Sequence, residues 1–216
     1  MKRTQIFNLA DVTPALVLQT ARALAQGALA VIPTDTVYGI ATGAFCEQSI
    51  REIGRLKNRP VSQAFQFLMS DMQQVRRVAQ LGAEASALAR AFWPGALTLI
   101  LPPTPQGRPL LRGFEGLGIR VPAAPFLQQL LKQTQTPLAC TSANRHGSPV
   151  LTKEQDLVEL FEGKVDFIFK GGTLTPLASS VVDLTGQPRL LREGALPKKE
   201  LEQVMGRLFI NERSIV

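Results

Sequence analysis

The chain is poor in the residues on which much enzyme chemistry relies. Of its 216 residues one is histidine and two are cysteine. Cys46 and Cys140 stand far apart, so they form no disulfide framework and are expected as reduced thiols. One His and two distant Cys offer no zinc-ligand spacing, and no metal site is expected. His146 lies near Ser142, but no G-x-S-x-G accompanies them, which argues against a hydrolase triad. No G-x-x-x-x-G-K-[ST] occurs, because Gly163-Lys164 is followed by Val165. Gly113, Gly116 and Gly118 stand in the wrong order for a dinucleotide fingerprint. A single Trp and a single Tyr make a poor stacking platform for single-stranded nucleic acid. No apolar run approaches a membrane span. The basic start, Met1-Lys2-Arg3, is interrupted by Asn8, Asp11 and Thr13 and does not read as a signal peptide. A soluble, cytoplasmic protein is expected.

What is present is a well-stocked core. The chain is 45% hydrophobic, enough for one buried domain over 1–216, and no linker or repeat divides it. The proline-rich stretch 101–113 reads as a surface loop between apolar elements. The net charge is +7, from 24 Lys and Arg against 17 Asp and Glu. Such an excess favours anionic partners without choosing among nucleotides, nucleic acid and phosphorylated metabolites.

Thr13-Pro14 reads as an N-cap and first helical position, with Val17, Ala21 and Leu24 on one face and Gly27 as the stop. Further helices are predicted over 49–57, after a cap at Asp71, over 83–92, around Phe126 to Leu131, from a cap at Thr152 to Phe161, and from Pro197. Strands are predicted over 28–33, 64–69, 97–101, 118–121, 137–140, 166–169, 180–184 and 189–191. Strands alternate with helices early and run in succession late. That pattern predicts an α/β fold, a single domain with a twisted mixed β-sheet and helices packed on it.

The stretch that organises the rest is Ile32 to Ile40. A buried strand runs into Pro33, which removes a backbone donor. Two hydroxyls, a carboxylate and a phenol then crowd into Thr34-Asp35-Thr36-Val37-Tyr38, closed by Gly39. Polar groups at the end of a buried strand need partners: either a turn that caps the next element, or a ligand at the strand's carboxyl end. Lys57 and Arg59, one residue apart before Pro60, can grip a polyphosphate or merely suit a helix terminus. Arg120, inside an apolar strand, calls for a structural carboxylate or a substrate carboxylate. Ser142 and Asn144 can hold a ribose, a phosphate or an amino acid, or form a capping turn.

Thr34-Asp35-Thr36-Val37-Tyr38-Gly39 resembles the opening motif of the YrdC family, the threonylcarbamoyl-adenylate synthases. Lys57-Asn58-Arg59-Pro60, Trp93-Pro94-Gly95, Arg120-Val121-Pro122, Thr141-Ser142-Ala143-Asn144, Ser179-Ser180-Val181-Val182-Asp183 and Leu191-Arg192-Glu193-Gly194 have counterparts in the same order. The resemblance runs from about residue 14 to about 205 and implies a YrdC-like fold with an open, basic, concave cleft. It implies joining of L-threonine, bicarbonate and ATP, with Mg2+, to give threonylcarbamoyl-AMP and pyrophosphate. The product would serve partner enzymes that modify adenosine in tRNA. It further implies that Lys57, Arg59 and Arg192 contact the nucleotide together with Ser142 and Asn144. Thr34, Thr36, Arg120, Ser142 and Ser179 would hold threonine, and Asp183 would be structural. His146, with no triad or zinc partners, is expected as a loop residue near the nucleotide.

The sequence also departs from the family. Ala64-Phe65 stands where Pro-Leu is common, and Ala96 where Pro is common after Trp-Pro-Gly. A further C-terminal domain, carried by longer members, is not expected here. Rival readings are a double-stranded RNA-binding or ribosome-maturation protein using the same basic cleft, a carbamoyl-transfer enzyme, and a divergent branch with another substrate.

Overall fold

The computed structural model of the chain describes residues 2–58, 65–175 and 177–209. In order, the elements are β1 (Gln5–Asn8), α1 (Pro14–Ala25), β2 (Ala30–Ile32), β3 (Gly39–Gly43), α2 (Glu47–Leu56) and β4 (Gln66–Leu68). They continue with α3 (Met72–Val78), α4 (Ala83–Phe92), β5 (Leu97–Leu101), β6 (Leu117–Arg120), α5 (Pro125–Thr134) and β7 (Leu138–Ser142). The rest are α6 (Glu154–Phe161), β8 (Phe167–Lys170), β9 (Ser180–Asp183), β10 (Arg189–Arg192) and α7 (Lys198–Met205). Local chemistry sets many of these boundaries. The Thr13 hydroxyl accepts from the Leu16 N–H at 3.2 Å, and Pro14 takes the first helical position, where its missing N–H is no loss. The Asp71 carboxylate caps α3 by accepting from the Gln74 N–H at 2.8 Å.

The strands form one sheet in the order β1-β8-β2-β3-β7-β4-β6-β5-β9-β10. The pairs β1/β8, β2/β8, β4/β6 and β5/β9 are parallel; β2/β3, β3/β7, β4/β7, β5/β6 and β9/β10 are antiparallel. The sheet is thus mixed, as the succession of elements predicts.

Side chains alternate across the sheet. On one face, Leu29, Val31, Ile40 and Ile168 pack under α2 and α6, while Phe67, Leu97, Leu99, Leu101, Ile119 and Val182 pack under α3, α4 and α7. On the other, α1 and α5 cover Ala30, Ile32, Ala41, Leu68, Leu138, Phe167 and Phe169. No buried apolar cluster among the described residues covers the remainder of that second face, across β4, β6, β5 and β9.

Three details differ from the sequence reading. The strand read over 28–33 is confined to 30–32, and the end of the polar motif is itself a strand, β3. β1 is short and mostly exposed, and lacks the apolar run that would reveal it. Thr152 does not cap α6: Lys153 holds the cap position, and the Thr152 carbonyl accepts from the Leu174 N–H at 3.3 Å. The 101–113 stretch is largely the loop it reads as, although Leu110, in a 3-10 turn, is buried.

Candidate functional site

The uncovered part of the second face is a cavity of about 300 Å³. Its floor is laid by Gly39, Cys140, Gln66, Gly118, Thr98 and Ile100, and its walls carry Thr34, Thr36, Ser142, Arg120, Ser179 and Arg192. Gly39 pairs with Ser142 between β3 and β7. A Cβ there would stand 2.5 Å from the Cys140 sulfur, so a larger residue would have to displace that thiol from the floor.

The turn between β2 and β3 is ordered by its own hydroxyls. Thr34 donates to the Val37 carbonyl at 2.7 Å and accepts from the Thr36 and Val37 N–H groups at 3.0 and 3.2 Å. The Thr36 hydroxyl stands 2.9 Å away, within hydrogen-bond distance. Thr36 in turn accepts from Arg120 Nη1 at 2.8 Å. The Tyr38 hydroxyl donates to the Gly172 carbonyl at 2.7 Å and accepts from the Gly171 N–H at 2.9 Å, tying the segment after β8 to the turn. Burial and then the nearby Glu154 charge raise the Tyr38 pKa against the opposing Gly171 bond, so the phenol stays protonated.

Arg120 is 2% exposed. Its Nε donates to the Gly95 carbonyl at 2.9 Å, and its Nη2 lies 2.7 Å from Asp35 Oδ1. The ion pair is close but poorly aligned, and the buried Nη2 has no hydrogen-bond acceptor. A protein carboxylate thus pairs with this arginine, as the first of its two readings has it. The Gly95 contact explains the Trp-Pro-Gly motif, since Gly95 also donates to the Val121 carbonyl at 2.8 Å and braces the end of β6.

Across the cavity, Arg192 donates from Nε to the Ser179 carbonyl at 3.0 Å and from Nη2 to Ser179 Oγ at 3.3 Å. Ser179 Oγ is 2.8 Å from Thr98 Oγ1, which Gln66 Nε2 also reaches. Arg192 stands at the mouth and is largely exposed, yet its guanidinium is partly shielded. That shielding, and then the like charge of Arg120, draw its pKa below the ordinary arginine value. Two guanidiniums thus act on one space. Ser180 closes the wall behind them, donating to the Leu196 carbonyl at 2.7 Å and accepting from the Gly194 and Leu196 N–H groups. Asp183 is structural, as the resemblance implies. Burial pushes its carboxyl up, but bonds from the Thr185 N–H and hydroxyl and from Arg189 outweigh this and hold the pKa low.

Lys57 and Asn144 stand behind Ser142 rather than on the lining. The Lys57 ammonium is buried and donates to the Ser142 carbonyl and, at 2.9 Å, to Asn144 Oδ1. Asn144 Oδ1 also accepts from Ser142 Oγ at 2.7 Å, and its amide donates to the Ser148 carbonyl. The His146 N–H donates to the Lys57 carbonyl at 2.9 Å, so the end of α2 and the turn after β7 form one assembly. Arg59 lies outside the described residues. Gln66, Thr98, Cys140 and Tyr38 line the cavity without having been singled out as ligand contacts. Period-two alternation in 97–101, with a threonine facing away from three leucines, is the signal that could have found Thr98. Among the described residues no group of three or more His, Cys, Asp or Glu stands together, and no helix is long and apolar enough to cross a membrane.

Comparison with known proteins agrees with this geometry. A threonylcarbamoyl-AMP synthase of Pyrococcus abyssi is 36% identical over 190 residues, which are 86% of this chain and 56% of that protein. The chain thus spans little more than half the length of that curated relative. The structure of P. abyssi Sua5 complexed with L-threonine superposes with a TM-score of 0.88 at 33% identity, over 96% of this chain and 62% of the other. E. coli YciO superposes at 0.84 and 26% identity, over 93% of this chain and 100% of the other. The sequence profile described as telomere recombination, which groups Sua5, YciO and YrdC, matches residues 22–194. A match of that extent means that the chain belongs to the Sua5/YciO/YrdC family.

Proposed function

We propose that the chain makes threonylcarbamoyl-AMP from L-threonine, bicarbonate and ATP, releasing pyrophosphate. The observation that carries this reading is that two guanidiniums, Arg120 and Arg192, line one cavity. Such a space favours ligands with more than one anionic group. The amine of threonine and bicarbonate give a carbamate and water. A carbamate oxygen attacks the α-phosphorus of ATP, the bond to the bridging oxygen breaks, and pyrophosphate leaves with that electron pair. No residue need form a covalent bond; positioning and fixed charge suffice.

In this reading Arg120 orients the threonine carboxylate, with Thr34 and Thr36 holding the turn that presents it. Arg192 and Ser179 lie against the carbamate or α-phosphate. Lys57 and Asn144 fix Ser142 at the nucleotide side, and Arg59, outside the described residues, is assigned to the nucleotide on the sequence motif alone. The described residues supply no cluster suited to a resident divalent ion. In this reading Mg2+ enters with ATP, as part of the substrate. The product is a reactive mixed anhydride, so a partner enzyme that transfers it to tRNA must consume it.

The test is pyrophosphate release from Mg-ATP and bicarbonate with and without L-threonine. Release that needs threonine, and fails with alanine, is the expected result. No release under any condition would remove the synthase reading, and titration with double-stranded RNA across salt concentrations would then test the RNA-binding alternative.

A further inference from the structure

We propose that Gln66 reads the side-chain hydroxyl of the amino-acid substrate, an inference that rests on the synthase reading above. Gln66 sits in the middle of the cavity floor. On β4 it pairs with Cys140 of β7 on one side and Gly118 of β6 on the other. Both neighbours are small, so the carboxamide is the polar group that stands out of an otherwise low stretch of floor. Its Nε2 donates to Thr98 Oγ1, which leaves Oε1 as the unbonded end of an amide that lines the cavity. Among the described residues Oε1 has no protein partner.

A carboxamide oxygen facing a cavity without a partner needs water or a ligand donor. Distance selects which part of the ligand. Arg120 lies opposite Leu68, two residues along β4 from Gln66. Two residues of strand and one strand spacing separate the two backbones by about 8 Å. With both side chains reaching inward, this gap suits a small amino acid held by its carboxylate at Arg120. The group of threonine that then points towards Gln66 is its hydroxyl, which donates to Oε1. Valine, of the same shape, carries a methyl there and would leave Oε1 dry and unpaired. A site built to bond a substrate hydroxyl rejects the analogue that lacks it far more strongly than a merely apolar pocket does.

The experiment measures kcat/KM for pyrophosphate release with threonine and with valine, in the wild type, Gln66→Met and Gln66→Glu. Methionine keeps the length and removes the acceptor; glutamate keeps an acceptor oxygen. The threonine-to-valine ratio is expected to fall tenfold or more in Gln66→Met and to stay within a few-fold of wild type in Gln66→Glu. An unchanged ratio in Gln66→Met, with the wild type active, would overturn the assignment while leaving the synthase reading intact. A wild type with no threonine-dependent release would remove the synthase reading itself, and Gln66's role with it. If Gln66→Met does not turn over, its thermal shift with threonine and with valine decides: equal shifts support the assignment, and a retained preference for threonine overturns it.

Discussion

Gly39 shows how closely a single residue controls the cavity. An alanine there would put a methyl 2.5 Å from the Cys140 sulfur, between strands whose register is fixed. Overpacking of this kind costs about 1–3 kcal/mol. Gly39→Ala should therefore lower the urea midpoint, and Cys140→Ala in the same chain should restore much of it. Strictly additive effects of the two substitutions would show that the clash is not the cause. At this scale the sequence was informative where an ionisable group broke an apolar pattern. Arg120 between Ile119 and Val121 announced itself, and so did the hydroxyls after Pro33. Gln66 and Thr98 did not, because a polar residue every second position on a strand reads as a solvent-facing side. Only the lack, among the described residues, of a helix above that face makes it a cavity instead. Lys57 was legible as a cation beside a turn, but not as a buried one tied to Ser142 and Asn144, since that contact joins positions 85 and 87 residues apart.

The cap of α3 ties an element to pH. Asp71 accepts from the Gln74 N–H, while Gln74 Oε1 reaches back to the Ser70 N–H at 2.9 Å. The Gln74 bond is the main cause holding the Asp71 carboxyl below its ordinary value of 3.8; partial burial opposes it, and Ser70 assists. A carboxyl with a lowered folded pKa stabilises the fold above the unfolded value, and this contribution is lost as pH falls through the folded one. Asp71→Ala should thus cost about 1 kcal/mol near neutral pH, or roughly 2–4 °C in Tm for a chain of this size. The gap to wild type should close on acidification below the ordinary carboxylate range. A gap that persists unchanged in acid would mean the cap is not what the substitution removes. Helices were the legible elements, because caps and prolines mark their ends. α4 and β5 lie where the sequence puts them. β3 was missed because a glycine-opened strand reads as the tail of a turn.

The whole molecule is a ladder of pairings with two unequal ends. β1 and β10 each have one strand partner, whereas β3, β7, β4 and β6 have two. In native-state hydrogen exchange, amides of residues 5–8 and 189–192 should exchange well before those of β7, because opening an edge exposes less of the core. Equal protection across the sheet would mean that it opens only as one unit. Sequence patterning predicts a mixed sheet but cannot order it, since strand order depends on contacts between distant stretches.

That order has a consequence for a chain made from its N-terminus onwards. β1 pairs only with β8, and β2 reaches β1's neighbourhood only through β8. Among the described residues β1 therefore waits for residues 167–170 before it has a partner in the sheet. Until then β2 presents an open edge towards the missing strand, while β3 already covers its other side once β2 and β3 have emerged. The nascent protein is in this sense a sheet with a slot. The interval between synthesis of β2 and of β8 is the time during which another chain's strand can fill that slot.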